Sequence, residues 1–149
     1  MEEKLNLLLS DLVVEYHKLQ NFHWYAKGRN FFAVHEKLEQ YFREISDNID
    51  DVAETMLMLE LKPVASLKEF LEKTQIKEAH DGHIKGHDIF NYVLADFEYF
   101  KQLVNIIKKQ ADDEMIYQVS ALMDEFIAQF AKNIWMVKQV QTEEVPQFA

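Results

Sequence analysis

Apolar residues recur along the chain at steps of three and four, the spacing of one face of an α-helix. Leu5, Leu9, Leu12, Tyr16 and Leu19 form the first such stripe and predict a helix over residues 2–26. Lys27, Gly28, Arg29 and Asn30 interrupt it, with Gly28 suited to a C-terminal helix stop. The second stripe is Phe31, His35, Leu38, Phe42, Ile45, Ile49, Val52, Met56 and Leu59, which predicts a helix over residues 31–61, ended by Pro63. Ser66-Leu67-Lys68-Glu69 reads as a capping box, so a short helix should run to about residue 73. A third long helix is expected to start between residues 76 and 83 and reach about residue 110. Its stripe is Phe90, Leu94, Phe97, Lys101, Val104 and Ile107, with the Lys101 stem lying along the apolar face. Ala111-Asp112-Asp113 then supplies the N-cap of a fourth long helix. That helix carries Ile116, Val119, Met123, Phe126, Phe130, Asn133 and Val137 and ends near residue 141.

No segment sustains the alternation of a strand. Four long amphipathic helices predict an all-α four-helix bundle. The connection from residue 61 to residue 76 carries the short helix and is long enough to cross from one end of the bundle to the other. That favours a ferritin-like crossover over a simple up-and-down bundle.

Composition fits this picture and narrows the chemistry. The 149 residues suit a single domain, 1–149, with room for a sizeable core, and only 3 Gly and 2 Pro punctuate it. With 0 Cys, disulfides and thiolate metal sites are excluded. No apolar run approaches a membrane span, and the Met1-Glu2-Glu3-Lys4 start is no signal peptide, so a soluble cytoplasmic protein is expected. The formal net charge is −10, and neither end carries the basic tail of a free-standing DNA binder; Thr142-Glu143-Glu144-Val145-Pro146 is acidic. The acidic balance fits cation handling, although many unrelated cytoplasmic proteins are as acidic.

Di-iron bundles commonly use Glu-x-x-His motifs on two helices. None is present: Val14, Gln20, Phe32, Lys77, His80 and Ile84 stand three residues before the six histidines. A different set remains. His23 and His35 each lie six residues from Arg29, so the first hairpin should bring them to one height. Glu39, Asp50 and Glu54 fall within a sector of about 100° starting at His35, and Asp50 and Glu54 are neighbours at i and i+4. His35 and Asp50 are about 22 Å apart along the helix, too far for one chain to unite. If the second helix packs antiparallel against its own copy about a two-fold axis near residues 42–45, His35 of one chain faces Asp50 and Glu54 of the other. Nitrogen and oxygen donors of this kind suit ferrous iron.

The bland readings of the same residues differ. A histidine in an apolar stripe is usually a packed core residue, and an Asp50/Glu54 pair alone is usually a solvated face. Phe31 and Phe32 read most simply as core or interface. His80, His83 and His87 lie at i, i+3 and i+7, a helical face able to bind Zn(II) or Cu(II) adventitiously but favoured as a solvent-facing stripe. His17 reads as structural.

The stretch NFHWYAKGRNFFAVHEK, residues 21–37, resembles the signature of the Dps family, the DNA-protection-during-starvation miniferritins, and IDDVAE, residues 49–54, resembles its second motif. The resemblance extends to KPVAS, residues 62–66, and NIWM, residues 133–136. It implies a homo-oligomeric cage of twelve subunits with two-iron ferroxidase centres at its two-fold interfaces. His23 and His35 would come from one subunit and Asp50 and Glu54 from its neighbour. Glu39 stands where the family usually has an aspartate that helps hold a metal or its water. Trp24 matches an aromatic kept beside the site, a candidate electron donor. The implied reaction is oxidation of Fe(II), preferentially by hydrogen peroxide rather than dioxygen, with ferric oxide stored in the cavity and protection against oxidative stress as the result. Asp112, Asp113, Glu114 and Asp124 are candidates for the family's three-fold iron entry pores. The alternative is a ferritin-fold structural or DNA-associated protein with a degenerate metal site. Direct DNA binding is not expected, because the Lys-rich terminal tail that many members use is missing.

Overall fold

The computed structural model describes residues 1–142. Five helices account for most of it: α1 (Glu2–Tyr25), α2 (Phe31–Met58), α3 (Leu67–Lys73), α4 (Gly86–Asp113) and α5 (Tyr117–Gln141). α1 packs along α2 and α4 along α5, and the two helical hairpins meet chiefly where α1 crosses α4. The short α3 lies against α1, in the connection that carries the chain from α2 to α4. This is the predicted four-helix bundle with a crossover and an extra short helix. None of its helices is long and apolar enough to cross a membrane.

The core is a continuous apolar seam. Leu5, Leu8, Leu9, Leu12 and Leu19 of α1 meet Leu38, Ile45, Val52 and Met56 of α2, and the α4–α5 half adds Phe97, Phe100, Phe126 and Phe130. The buried face of α2 is wider than its predicted stripe, taking in Val34, Tyr41, Asn48 and Thr55, while Phe31, Ile49 and Leu59 are only half-buried.

Three boundaries differ from expectation, for identifiable reasons. α2 stops at Met58: Glu60 takes the left-handed conformation (φ 60°) and the Leu61 N–H donates to the Met56 carbonyl at 2.8 Å. α4 runs on through Asp113 and ends the same way, with Met115 at φ 58° and the Ile116 N–H donating to the Ala111 carbonyl at 2.8 Å. Both are Schellman endings, which usually place glycine at the left-handed position. Ala111-Asp112-Asp113 is therefore the end of α4 and not the N-cap of the last helix; Ile116 holds that position, without a side-chain cap. The third long helix starts at Gly86, later than expected, because residues 76–83 are not helical.

The crossover is tied down by polar groups of α1. The Asn6 side chain donates to the Lys62 carbonyl at 3.0 Å and accepts from the Val64 N–H at 2.9 Å. Asp11 accepts from the Thr74 hydroxyl and the Gln75 N–H, each at 2.7 Å, and from the Tyr99 hydroxyl at 2.6 Å. The predicted capping box opens α3: the Ser66 hydroxyl donates to the Glu69 carboxylate at 2.8 Å and accepts from its N–H at 3.3 Å. Asn6→Ala should lower stability by about 1–3 kcal/mol, since it leaves two backbone groups of the crossover without their partner. Chemical denaturation would measure it, and a loss below about 0.5 kcal/mol would show that water replaces the amide.

Candidate metal centre

The α1–α2 hairpin brings the two candidate histidines together. α1 gives way at Ala26–Lys27, which pair in parallel with Ile84–Lys85 just before α4. Gly28 (φ 107°) turns the chain, three residues beyond the last residue of α1 rather than as its immediate stop, and Asn30 (φ 63°) starts α2 from a left-handed conformation. This short return sets His23 and His35 at one height, as their equal distance from Arg29 predicts.

The two imidazoles stack with centroids 3.6 Å apart and planes 16° apart. Each ring also bonds to the other residue's backbone: His23 Nδ1 lies 2.7 Å from the His35 carbonyl oxygen, and His35 Nδ1 lies 2.8 Å from that of His23. A carbonyl oxygen only accepts, so each Nδ1 carries the proton and donates. In the uncharged ring the lone pair then sits on Nε2, the tautomer selected in metal-ligating histidines. Phe31 stacks on His35 at 5.0 Å and Phe42 meets His23 edge-on at 5.3 Å, which fixes both ring planes from outside. His23 is buried and His35 half-buried.

The carboxylates stand elsewhere. Asp50 and Glu54 are exposed on α2, one turn apart, about 22 Å along the helix from His35. Among the described residues of one chain, no three His, Asp or Glu side chains gather into a group able to hold a metal. Glu39, one turn beyond His35, pairs with Arg43 Nη2 at 3.2 Å. The sequence reading missed Arg43, although its i, i+4 spacing from Glu39 was the available signal. Trp24 is exposed and meets the exposed His17 ring edge-on at 5.9 Å.

Two secondary candidates change. His80, His83 and His87 do not form a helical face, because the first two precede α4 in non-helical chain. His83 Nδ1 instead donates to the Tyr25 carbonyl at 3.3 Å. Of the acids assigned to the start of the last helix, only Asp124 lies on it, and Asp112 and Asp113 end α4. Lys108 contacts Asp124 at 2.9 Å and Asp112 at 3.7 Å, and Ser120 hydrogen-bonds Asp112. The bond to Asp124, with further help from Asp112, holds the Lys108 ammonium above its ordinary pKa. Lys109 pairs with Asp113 at 3.0 Å. Much of the acidity at this corner is therefore already matched by lysine.

Comparison with known proteins agrees with the architecture. A family model described as a ferritin-like domain matches residues 2–144. The chain is 37% identical over 141 residues to DNA protection during starvation protein 2 of Bacillus anthracis, covering 91% of this chain and 92% of the relative. It is 33% identical over 140 residues to the DNA protection during starvation protein of Helicobacter pylori, covering 91% and 94%. Among solved structures, a Dps protein from Bacillus brevis superposes with a TM-score of 0.91 at 33% identity, covering 95% of this chain and 94% of that one. Dps from Vibrio cholerae, described as a member of a broad superfamily of ferritin-like diiron-carboxylate proteins, gives a TM-score of 0.91 at 29% identity, covering 95% and 88%.

Fold and hairpin together define a ferritin-like helical bundle. Within that class, the chain belongs to the Dps family.

Proposed function

We propose that this protein is a ferroxidase and iron store, in which two copies of the chain complete each oxidation site. The observation that carries the reading is the His23–His35 pair, locked so that both Nε2 atoms are free, with His35 on the same helix as the exposed Asp50 and Glu54. An antiparallel α2–α2 contact would set the histidines of one subunit against the carboxylates of the next, giving two equivalent sites per dimer. Six such dimers would make a cage of twelve.

Iron is the substrate here. Imidazole nitrogen and carboxylate oxygen suit Fe(II), and hard carboxylate oxygens favour the Fe(III) product. Two Fe(II) ions each lose one electron, and one hydrogen peroxide takes both and, with two protons, leaves as two waters. Paired electron delivery avoids the hydroxyl radical that a single transfer releases. Dioxygen would be the slower oxidant, and the ferric product would be stored as oxide inside the cage. Glu39 would join the centre once Arg43 releases it, and Trp24 would supply the second electron where only one Fe(II) is bound. The reading includes a cytoplasmic location, protection against oxidative stress and no direct DNA contact. The diiron-carboxylate description of the Vibrio protein supports the iron chemistry, and the relatives' names support the protective role.

The test is anaerobic Fe(II) loading followed by peroxide, monitored by ferric absorbance. Rapid oxidation is expected in the parent and a loss of about 10–100-fold or more in His23→Ala and Asp50→Ala. Variants that oxidise iron at the parental rate would place the site elsewhere.

A further inference from the structure

A second group of ionisable residues lies inside the bundle, away from the histidine pair. Glu15 of α1 is fully buried at 0% exposure. Neither of its carboxyl oxygens has a hydrogen-bond donor among the described residues. It faces the Asp96 carboxyl of α4, and Asp96 pairs with Lys18 at 2.7 Å. Two carboxylates face to face offer acceptors only, and burial of such a pair without a donor is strongly unfavourable. One proton between them supplies the missing donor and removes one charge.

We propose that Glu15 and Asp96 hold one proton between them, making the α1–α4 seam a pH-sensitive latch that loosens when the proton leaves. The charged and titratable groups around Glu15 are Lys18 and Asp11 on α1 and Asp96 on α4, with Tyr99 of α4 hydrogen-bonded to Asp11. Without the shared proton, the Lys18 ammonium, alone among the cations of the described residues, would face Glu15, Asp96 and Asp11. A cavity of about 570 Å³ lined by Lys18, Asp96 and Tyr99 lies beneath residues 75–84, which gives the proton a short way out. Glu15 lies about two turns before His23 on the same helix, so a loosened seam acts on the element that positions that ring.

The direction of the pH effect follows from the burial. Desolvation pushes Glu15 well above the ordinary carboxyl value of 4.5, the Asp96 charge pushes it further, and Lys18 offsets only part. The folded protein thus keeps a proton that the unfolded chain releases. Stability falls as pH rises from the ordinary carboxyl range through the raised value. Asp11, also raised by burial, acts in the same direction and keeps its carboxyl in Glu15→Gln.

The experiment compares unfolding midpoints of the assembled parent and Glu15→Gln between pH of about 5 and about 9. Glutamine keeps the shape of the protonated acid and cannot ionise. The parent midpoint should fall several degrees further than that of the variant, and parallel curves would overturn the proposal. Infrared difference spectra of parent minus variant near neutral pH should contain a protonated-carboxyl C=O stretch that titrates away in alkali. Its absence would equally overturn it. If Glu15→Gln does not fold, Asp96→Asn replaces it in both measurements; it should flatten the same slope, and an unchanged slope counts against the latch.

Discussion

Phe97→Ala should lower stability by about 3–5 kcal/mol, the range for truncating a fully buried phenylalanine. Phe97 is 1% exposed and sits where three helices meet. Its ring meets Tyr41 of α2 edge-on at 5.1 Å and Phe130 of α5 at 5.6 Å, and Phe130 in turn stacks on Phe100 at 5.2 Å. Tyr41 belongs to this packing as an uncharged ring, since burial, with the Glu44 charge beside it, pushes its hydroxyl to about 12. A void at this junction is lined by rigid rings on separate helices. Closing it would mean moving α2 against α4 and α5, and interiors packed to crystal density resist that. Equilibrium denaturation with far-ultraviolet circular dichroism would measure the loss. A cost below about 1 kcal/mol would show that the three helices close over the gap.

The core and the ligand candidates were legible in the sequence to different depths. The stripes placed the four long helices because amphipathic periodicity follows directly from burial on one face. Phe97 and Phe130 were both on them. The helix ends were less legible. Glu60 and Met115 adopt the left-handed conformation that usually calls for glycine, so residues that give no stop signal close α2 and α4. The start of α4 was placed too early, and an imagined histidine face followed from that error. Asn6, Asp11 and Glu15 were invisible for another reason. Polar residues inside an apolar stripe identify their partners only once the crossover and α4 are placed against α1. The His23–His35 pair shows the opposite case. A symmetric spacing about a hairpin is local geometry, and the structure realises it. Asp50 and Glu54 are different again: a single chain carries no information on what faces them, beyond the missing Glu-x-x-His motifs that argue against a site within one bundle.

Co-expressing two inactive variants should therefore restore activity. His23→Ala and Asp50→Ala assemblies should each lack rapid peroxide-driven iron oxidation. Co-expressed in equal amounts, their subunits should pair at random, so about half of the two-fold interfaces hold one subunit of each kind. Such an interface has one site that combines both defects and one that combines His23 and His35 of the Asp50→Ala subunit with Asp50 and Glu54 of the His23→Ala subunit. The second site is intact. About a quarter of all sites should recover, and the initial rate with them, if each two-fold interface carries two equivalent sites as proposed. Separately expressed variants mixed after assembly should gain nothing, since their subunits are already paired. A centre within one bundle would have both mutations acting on complete, separate sites, and co-expression would restore no activity at all. The outcome thus distinguishes a shared centre from an internal one without requiring the position of the iron, and it tests the α2–α2 contact in the same measurement as the chemistry.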